Sequence, residues 1–146
     1  MSIKEERKRA SKTASKGASK ETLPRKDRQS RVIAESEIRD PRVRIVIDFM
    51  HANLQRKISL ADLAREVNLS AAHVSRLFST ETRISPSEYL IRLRMERAQH
   101  LLLTSLLSVK EIMAMTGYGN RGHFVQHFKR YFGPVPSEFR KGLSSS

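Results

Sequence analysis

SPSEYLIRLRMERAQHLLL, residues 85–103, is the stretch whose reading decides how the rest of the chain is arranged. It reads as one helix. Ser85 can cap the first turn, Pro86 suits the first helical position, and Glu88 stands three residues past the cap, where its side chain can reach back. Good helix formers follow without a break to Leu103. The apolar residues gather at the ends, Tyr89, Leu90, Ile91 and Leu93 against Leu101, Leu102 and Leu103, and the middle carries Arg92, Arg94 and Arg97. A helix laid against one core would show a continuous apolar stripe. The pattern predicts a strut, a linker helix over 85–103 with a small domain on each end.

Toward the N-terminus, Asp40-Pro41 is a helix start with a cap and a proline at the first position. Val43, Val46, Ile47, Met50 and Leu54 recur at helical spacing, which predicts a helix of about 41–55. The β-branched run from Val43 to Ile47 suits a strand locally, but the recurrence to Leu54 decides for helix. Ser59 caps LADLAREV, with Leu60, Leu63, Ala64 and Val67 on one face, and Asn68-Leu69-Ser70 breaks it. Ser70 caps a further helix, AAHVSRLFSTE, burying Val74, Leu77 and Phe78. Two helices joined by a short turn, with small Ala64 permitting close approach, form a helix-turn-helix pattern over about 60–81.

Toward the C-terminus, Ser108 caps VKEIMAMT, Gly117-Tyr118-Gly119 turns the chain, and Asn120 caps RGHFVQHFKRYF. This is a second unit over about 109–132. Gly133-Pro134 ends it, PSEFRKG makes a last short helix, and residues 143–146 are left as a tail. The two sides of the strut are copies. A shift of 49 places Leu63 on Ile112 and Leu69 on Tyr118; after one extra residue in the second turn, a shift of 50 places Val74 on Phe124 and Phe78 on Phe128. Pro86-Ser87-Glu88-Tyr89 then falls on Pro136-Ser137-Glu138-Phe139, a match that apolar periodicity alone does not produce. The fold class is all-α, two tandem helix-turn-helix subdomains bridged by a long helix.

The formal charge of +13 on 146 residues favours a polyanionic partner. It is unevenly placed: residues 1–31 hold 11 Lys/Arg against 4 Asp/Glu. Residues 1–39 have too little to bury to offset the entropy of ordering and are expected to form a disordered basic arm, leaving 40–142 as the domain. The arm is either a solubilising tail or a sequence-independent contact with phosphates. No apolar run approaches the ~20 residues that cross a bilayer, and no secretory signal is evident, so the expectation is a soluble cytoplasmic protein without membrane contact.

Geometry turns the repeat into a mechanism. The 18 residues from Pro86 to Leu103 make about 27 Å of helix, against about 34 Å between successive major-groove faces of B-DNA. A rigid spacer of this size, plus domain offsets, can set two recognition helices in adjacent major grooves, bending the DNA where the span falls short. One chain then binds double-stranded DNA as a monomer, without a palindrome.

The second copy, EIMAMTGYGNRGHFVQHFKRYFGPVPSEFRKG, resembles the signature of AraC/XylS-type transcriptional regulators. The first copy with the strut, SLADLAREVNLSAAHVSRLFSTETRISPSEYLIRLRMERAQHLL, resembles the rest of that family's DNA-binding domain, and the likeness covers about residues 41–142. The resemblance implies seven helices, asymmetric DNA sites, and activation, less often repression, through contact with RNA polymerase at bacterial promoters. Many members add a sizeable effector or dimerisation domain. No small-molecule effector domain is evident here, which leaves a stand-alone member, a sensing partner, or a fragment.

In the first recognition helix, Ala71, Ala72, Ser75, Arg76 and Ser79 face away from the core, and the family's base-reading positions fall on the first four. Arg76 can pair bidentately with guanine or serve as a phosphate contact; the alanines offer apolar contact to a thymine methyl. In the second, Arg121, Gly122, Val125, Gln126 and Lys129 are left facing out, with Asn120 at the cap. Gln126, where the family commonly has Arg, can read adenine. Val125 replaces a small polar residue and Met113 an alanine, so the first unit is expected to specify sequence and the second to position. Arg94 matches a position the family keeps basic, where an ion pair is one use.

An enzyme is not expected. No cysteine, spaced carboxylate pair or glycine-rich phosphate loop occurs, and the alkyl-transferring cysteine that accompanies some AraC-like DNA-repair domains is absent. His123 and His127, four apart on one helix, have no carboxylate or cysteine near in sequence to complete a zinc site, so neither metal nor cofactor is expected. The rival reading is a nucleoid-associated protein that binds DNA with little sequence preference, suggested by the Lys/Ala/Ser arm.

Overall fold

The computed structural model describes residues 32–145, and residues 1–31 of the expected arm lie outside them. Among the described residues all regular structure is helical: α1 Pro41–Ala52, α2 Leu60–Val67, α3 Ala71–Thr82, α4 Pro86–Thr104, α5 Val109–Met115, α6 Arg121–Phe132 and α7 Pro136–Ser145. The starts follow from local chemistry. Asp40, Ser59, Ser70, Ser85, Ser108 and Asn120 each accept a backbone N–H from the first turn that they cap.

The repeat is visible in geometry. The capping box of Ser59 with Asp62 recurs as Ser108 with Glu111. Asn68 (φ 56°) and Gly117 (φ 82°) both turn left-handed at the centre of their unit, as do Arg83 (φ 77°) and Gly133 (φ 103°) at the end of the recognition helix. Phe78 meets Tyr89 edge-on at 5.2 Å between ring centroids, and Phe128 meets Phe139 edge-on at 5.6 Å. Gly119 is the extra residue of the second turn, and a side chain there would meet nothing within 4 Å.

Two hydrophobic clusters hold the molecule. The first joins α1, α2 and α3 to Tyr89, Leu90 and Leu93 of α4; the second joins α5 and α6 to Met95, Ala98, Leu101 and Leu102 of the same helix. The middle of the linker helix, which reads as basic in sequence, is packed as well. Met95 and Ala98 are fully buried. Ile91, Met95, Ala98 and Leu102 lie at helical spacing and form a stripe for the second cluster, while Pro86, Tyr89, Leu90 and Leu93 form a stripe for the first. The two stripes overlap along the helix, so the clusters abut.

Three boundaries also differ. Helix α1 stops at Ala52 instead of 55, because Asn53 turns its side chain back to the Phe49 carbonyl at 2.8 Å and its own N–H to that of Met50. Residues 32–39, expected within the arm, pack on the domain: Ile38 is buried, and Val32 and Ile33 lie against the first cluster. The Ile33 N–H donates to the Thr82 carbonyl, and the N–H groups of Arg39 and Asp40 point at the Glu81 carboxylate. Those donors and a buried isoleucine stabilise a segment that its charge alone would leave loose. Helix α7 runs to Ser145, into the expected tail.

Candidate nucleic-acid interface

Each recognition helix buries one stripe and offers the other. In α3, Val74 and Phe78 are buried while Ala71, Ala72 and Arg76 are exposed and Ser75 and Ser79 half-buried at the edge. In α6, Phe124, Phe128 and Tyr131 are buried; Arg121, Gly122, Gln126 and Lys129 are exposed. Val125, expected to face out, is half-buried against the second cluster. Its methyl groups gain more from that apolar wall than from water. Asn120 is exposed, but its Oδ1 is taken by the His123 N–H at 2.9 Å, which leaves its NH₂ for a partner.

A cleft of about 880 Å³ lies between the two units. Ser75 of α3 borders it on one side and Asn120 and His123 of α6 on the other, with Pro86, Leu90, Ile91 and Arg94 of α4 along the floor. Both recognition helices therefore flank the same face of the linker, and both can be offered to one side of a duplex. Lys57 and Ser59 also line the cleft.

Arg94 holds this geometry. Its Nε donates to the Leu54 carbonyl at 3.3 Å and Nη2 to that of Arg56 at 2.7 Å, and burial lowers its pKa. Its role is structural and the partners are carbonyls, not an ion pair. A side-chain carbon on Gly117 would come within 2.3 Å of the Leu54 oxygen and 2.9 Å of the Arg94 guanidinium. The turn of the second unit is thus seated directly on the loop that enters the first. Arg140 of α7 does the equivalent for the second entry loop, donating to the carbonyls of Leu107 and Ser105.

His127, one of the histidine pair on α6, has a partner within the second unit. His127 Nδ1 and the Tyr118 hydroxyl lie 2.7 Å apart. Burial is the chief cause holding the imidazole below its ordinary value of 6.5, and burial likewise raises the Tyr118 phenol to about 12, so both are neutral near neutrality. His73 and His123, at matching positions of the two copies, were not among the expected site residues, yet both side chains are exposed on the offered faces. The signal was present, since neither falls on the Val74–Phe78 or Phe124–Phe128 stripe.

The family model described as "Helix-turn-helix domain" matches residues 63–142. The crystal structure of an AraC-type DNA-binding-domain-containing regulator from Chromobacterium violaceum is 30% identical, with TM-score 0.65 over 69% of this chain and 90% of that one. The chain belongs to the AraC/XylS family. A second AraC-type structure, the DNA-binding domain of the global transcriptional factor AdpA in complex with a target DNA, has TM-score 0.68 and 27% identity over 70% of this chain and 93% of that one. Among curated relatives, the HTH-type transcriptional regulator GbdR of Pseudomonas aeruginosa is 35% identical over 102 residues, 70% of this chain and 28% of that protein. The chain spans about a third of the length of the curated AraC/XylS relatives it matches. Among the described residues, no helix is long and apolar enough to cross a membrane.

Proposed function

We propose that this chain is a sequence-specific DNA-binding transcription regulator of the AraC/XylS type, placing α3 and α6 in adjacent major grooves of an asymmetric site. The observation that carries this reading is the shared cleft, with Ser75 on one wall and Asn120 and His123 on the other. The 19 residues of α4 supply about 28 Å of rigid separation between the units. The DNA complex of AdpA supports double-stranded DNA as the partner. Arg76 reads guanine, Ala71 and Ala72 contact a thymine methyl, Ser75 reaches a base edge and Gln126 reads adenine, while Ser79, Arg121, Gly122 and Lys129 place the helices on the backbone. Val125, being half-buried, contributes chiefly to the core. One chain binds as a monomer in the cytoplasm, without catalysis, and activates by contact with RNA polymerase.

The reading is tested by selecting sites from a random DNA pool and comparing affinity for selected and random sequences at physiological salt. A preference of about 10³ or more is expected. A ratio near one contradicts it and leaves a protein that coats DNA without reading it.

A further inference from the structure

The start of α4 leaves half open a capping box that the starts of α2 and α5 close. At Ser59 and Ser108 the capping box is closed in both directions: the cap oxygen accepts the N–H of Asp62 or Glu111, and that residue's carboxylate accepts the cap's N–H at 2.8 Å. At Ser85 only half of it forms. The Glu88 N–H donates to Ser85 Oγ at 3.1 Å, but the Glu88 carboxylate turns away and accepts the Tyr131 hydroxyl at 2.6 Å, 43 residues distant. The second carboxylate oxygen has Arg130 Nη2 at 3.7 Å, and the Arg130 guanidinium lies 5.8 Å from the Tyr131 ring centroid. A short O–H to carboxylate bond is among the stronger hydrogen bonds, and a sequence that forgoes a local cap for it is spending local stability on a distant contact.

The two ends of that bond belong to different units. Glu88 stands between Pro86 and Tyr89, whose side chains are buried at the start of α4, and Tyr89 is part of the first cluster. Tyr131 closes the C-terminal end of α6, in the second cluster. Another seat between the units lies before the N-terminal end of α6, where the Gly117 turn rests on the Leu54 carbonyl and Arg94. Beyond its packing on α4, α6 is then tied to the first unit near both of its ends.

We propose that Glu88, through Tyr131 and Arg130, is a positioning residue that locks the second recognition helix against the first unit and so sets the half-site spacing the protein accepts. The proposal rests on the DNA-binding reading above. The acceptor is a carboxylate partly open to water, with its side chain 31% exposed, so the lock acts on orientation more than on folding.

The test uses the full chain, a site selected by the unaltered protein, and the same site with one base pair inserted between its halves. The insertion displaces the second groove by about 3.4 Å and rotates it by about 36°. The unaltered protein is expected to lose about tenfold or more in affinity. Glu88→Ala and Tyr131→Phe are expected to lower affinity for the original site and shrink the insertion penalty to within about threefold. Glu88→Gln, whose amide oxygen still accepts from Tyr131, is expected to restore most of the discrimination. Circular dichroism checks that each variant is folded, and Tyr131→Phe carries the test if Glu88→Ala does not fold. An unaltered protein that discriminates while both variants keep its insertion penalty overturns the lock alone. An unaltered protein with no preferred site overturns the DNA-reading function and the lock with it.

Discussion

Gly117 is where a single residue matters most. Its φ of 82° lies in the region that disfavours a side chain, and the carbon that alanine adds would sit 2.3 Å from the Leu54 oxygen. Gly117→Ala is therefore expected to cost about 2 kcal/mol or more, read from denaturant unfolding; a loss within about 0.5 kcal/mol would show the turn is free to move. Arg76 makes the opposite case, since it is exposed and its effect belongs to DNA. Arg76→Ala is expected to leave stability unchanged and to relax preference at one base pair by roughly 1–3 kcal/mol. Equal weakening on all sequences would make it a phosphate contact. His127 gives the pH dependence. Because burial depresses its pKa, the unfolded chain binds the proton more readily, so the site's stability is fully present above pH 6.5 and is lost as pH falls through the folded value. Asp40, Asp62 and Glu111 are lowered by their hydrogen bonds and respond only below about pH 4.5. Melting temperature should thus fall as pH drops below about 6.5, before the carboxylates respond, and His127→Gln should flatten that fall; an unchanged fall would assign it elsewhere.

At the scale of elements, much was legible because it is local. Caps, prolines at first helical positions and the turns at Asn68 and Gly117 are written in a few neighbouring residues, and they formed as read save for the reach of Glu88 back to Ser85. The tandem repeat was legible because copying preserves Pro-Ser-Glu-aromatic as well as apolar spacing. What stayed hidden depends on partners distant in sequence. Met95 and Ala98 look isolated among arginines, and only the packed α5 and α6 show that they continue a stripe. Residues 32–39 look like tail until Thr82 and Glu81 supply acceptors. Glu88 satisfies a local rule in sequence and is drawn off by Tyr131 in space. The linker also yields an element-scale prediction. Glu96 is exposed where the two clusters meet, so Glu96→Pro should break α4 there at a cost of about 3 kcal/mol. Unfolding should then separate into two transitions and full-site binding should fall more than tenfold; one cooperative transition with normal binding would deny the linker its role.

At the scale of the molecule, two compact readers share one helix, and a basic N-terminal sequence precedes them. Residues 1–31 carry a net +7 of the total +13. If that charge contacts phosphates, removing it should flatten the salt dependence by roughly 0.9 per phosphate released while leaving the preferred sequence unchanged. An altered preference would place the arm among the readers. Function rests on α4 holding both recognition helices on one face of a duplex. The most direct measurement is the affinity and stoichiometry of the full chain on a selected site, against the same site with about five base pairs, half a helical turn, inserted between its halves. One chain per site is predicted, with the insertion reducing affinity to that of the better half alone. Binding indifferent to the insertion, or two chains on a palindrome, would contradict it.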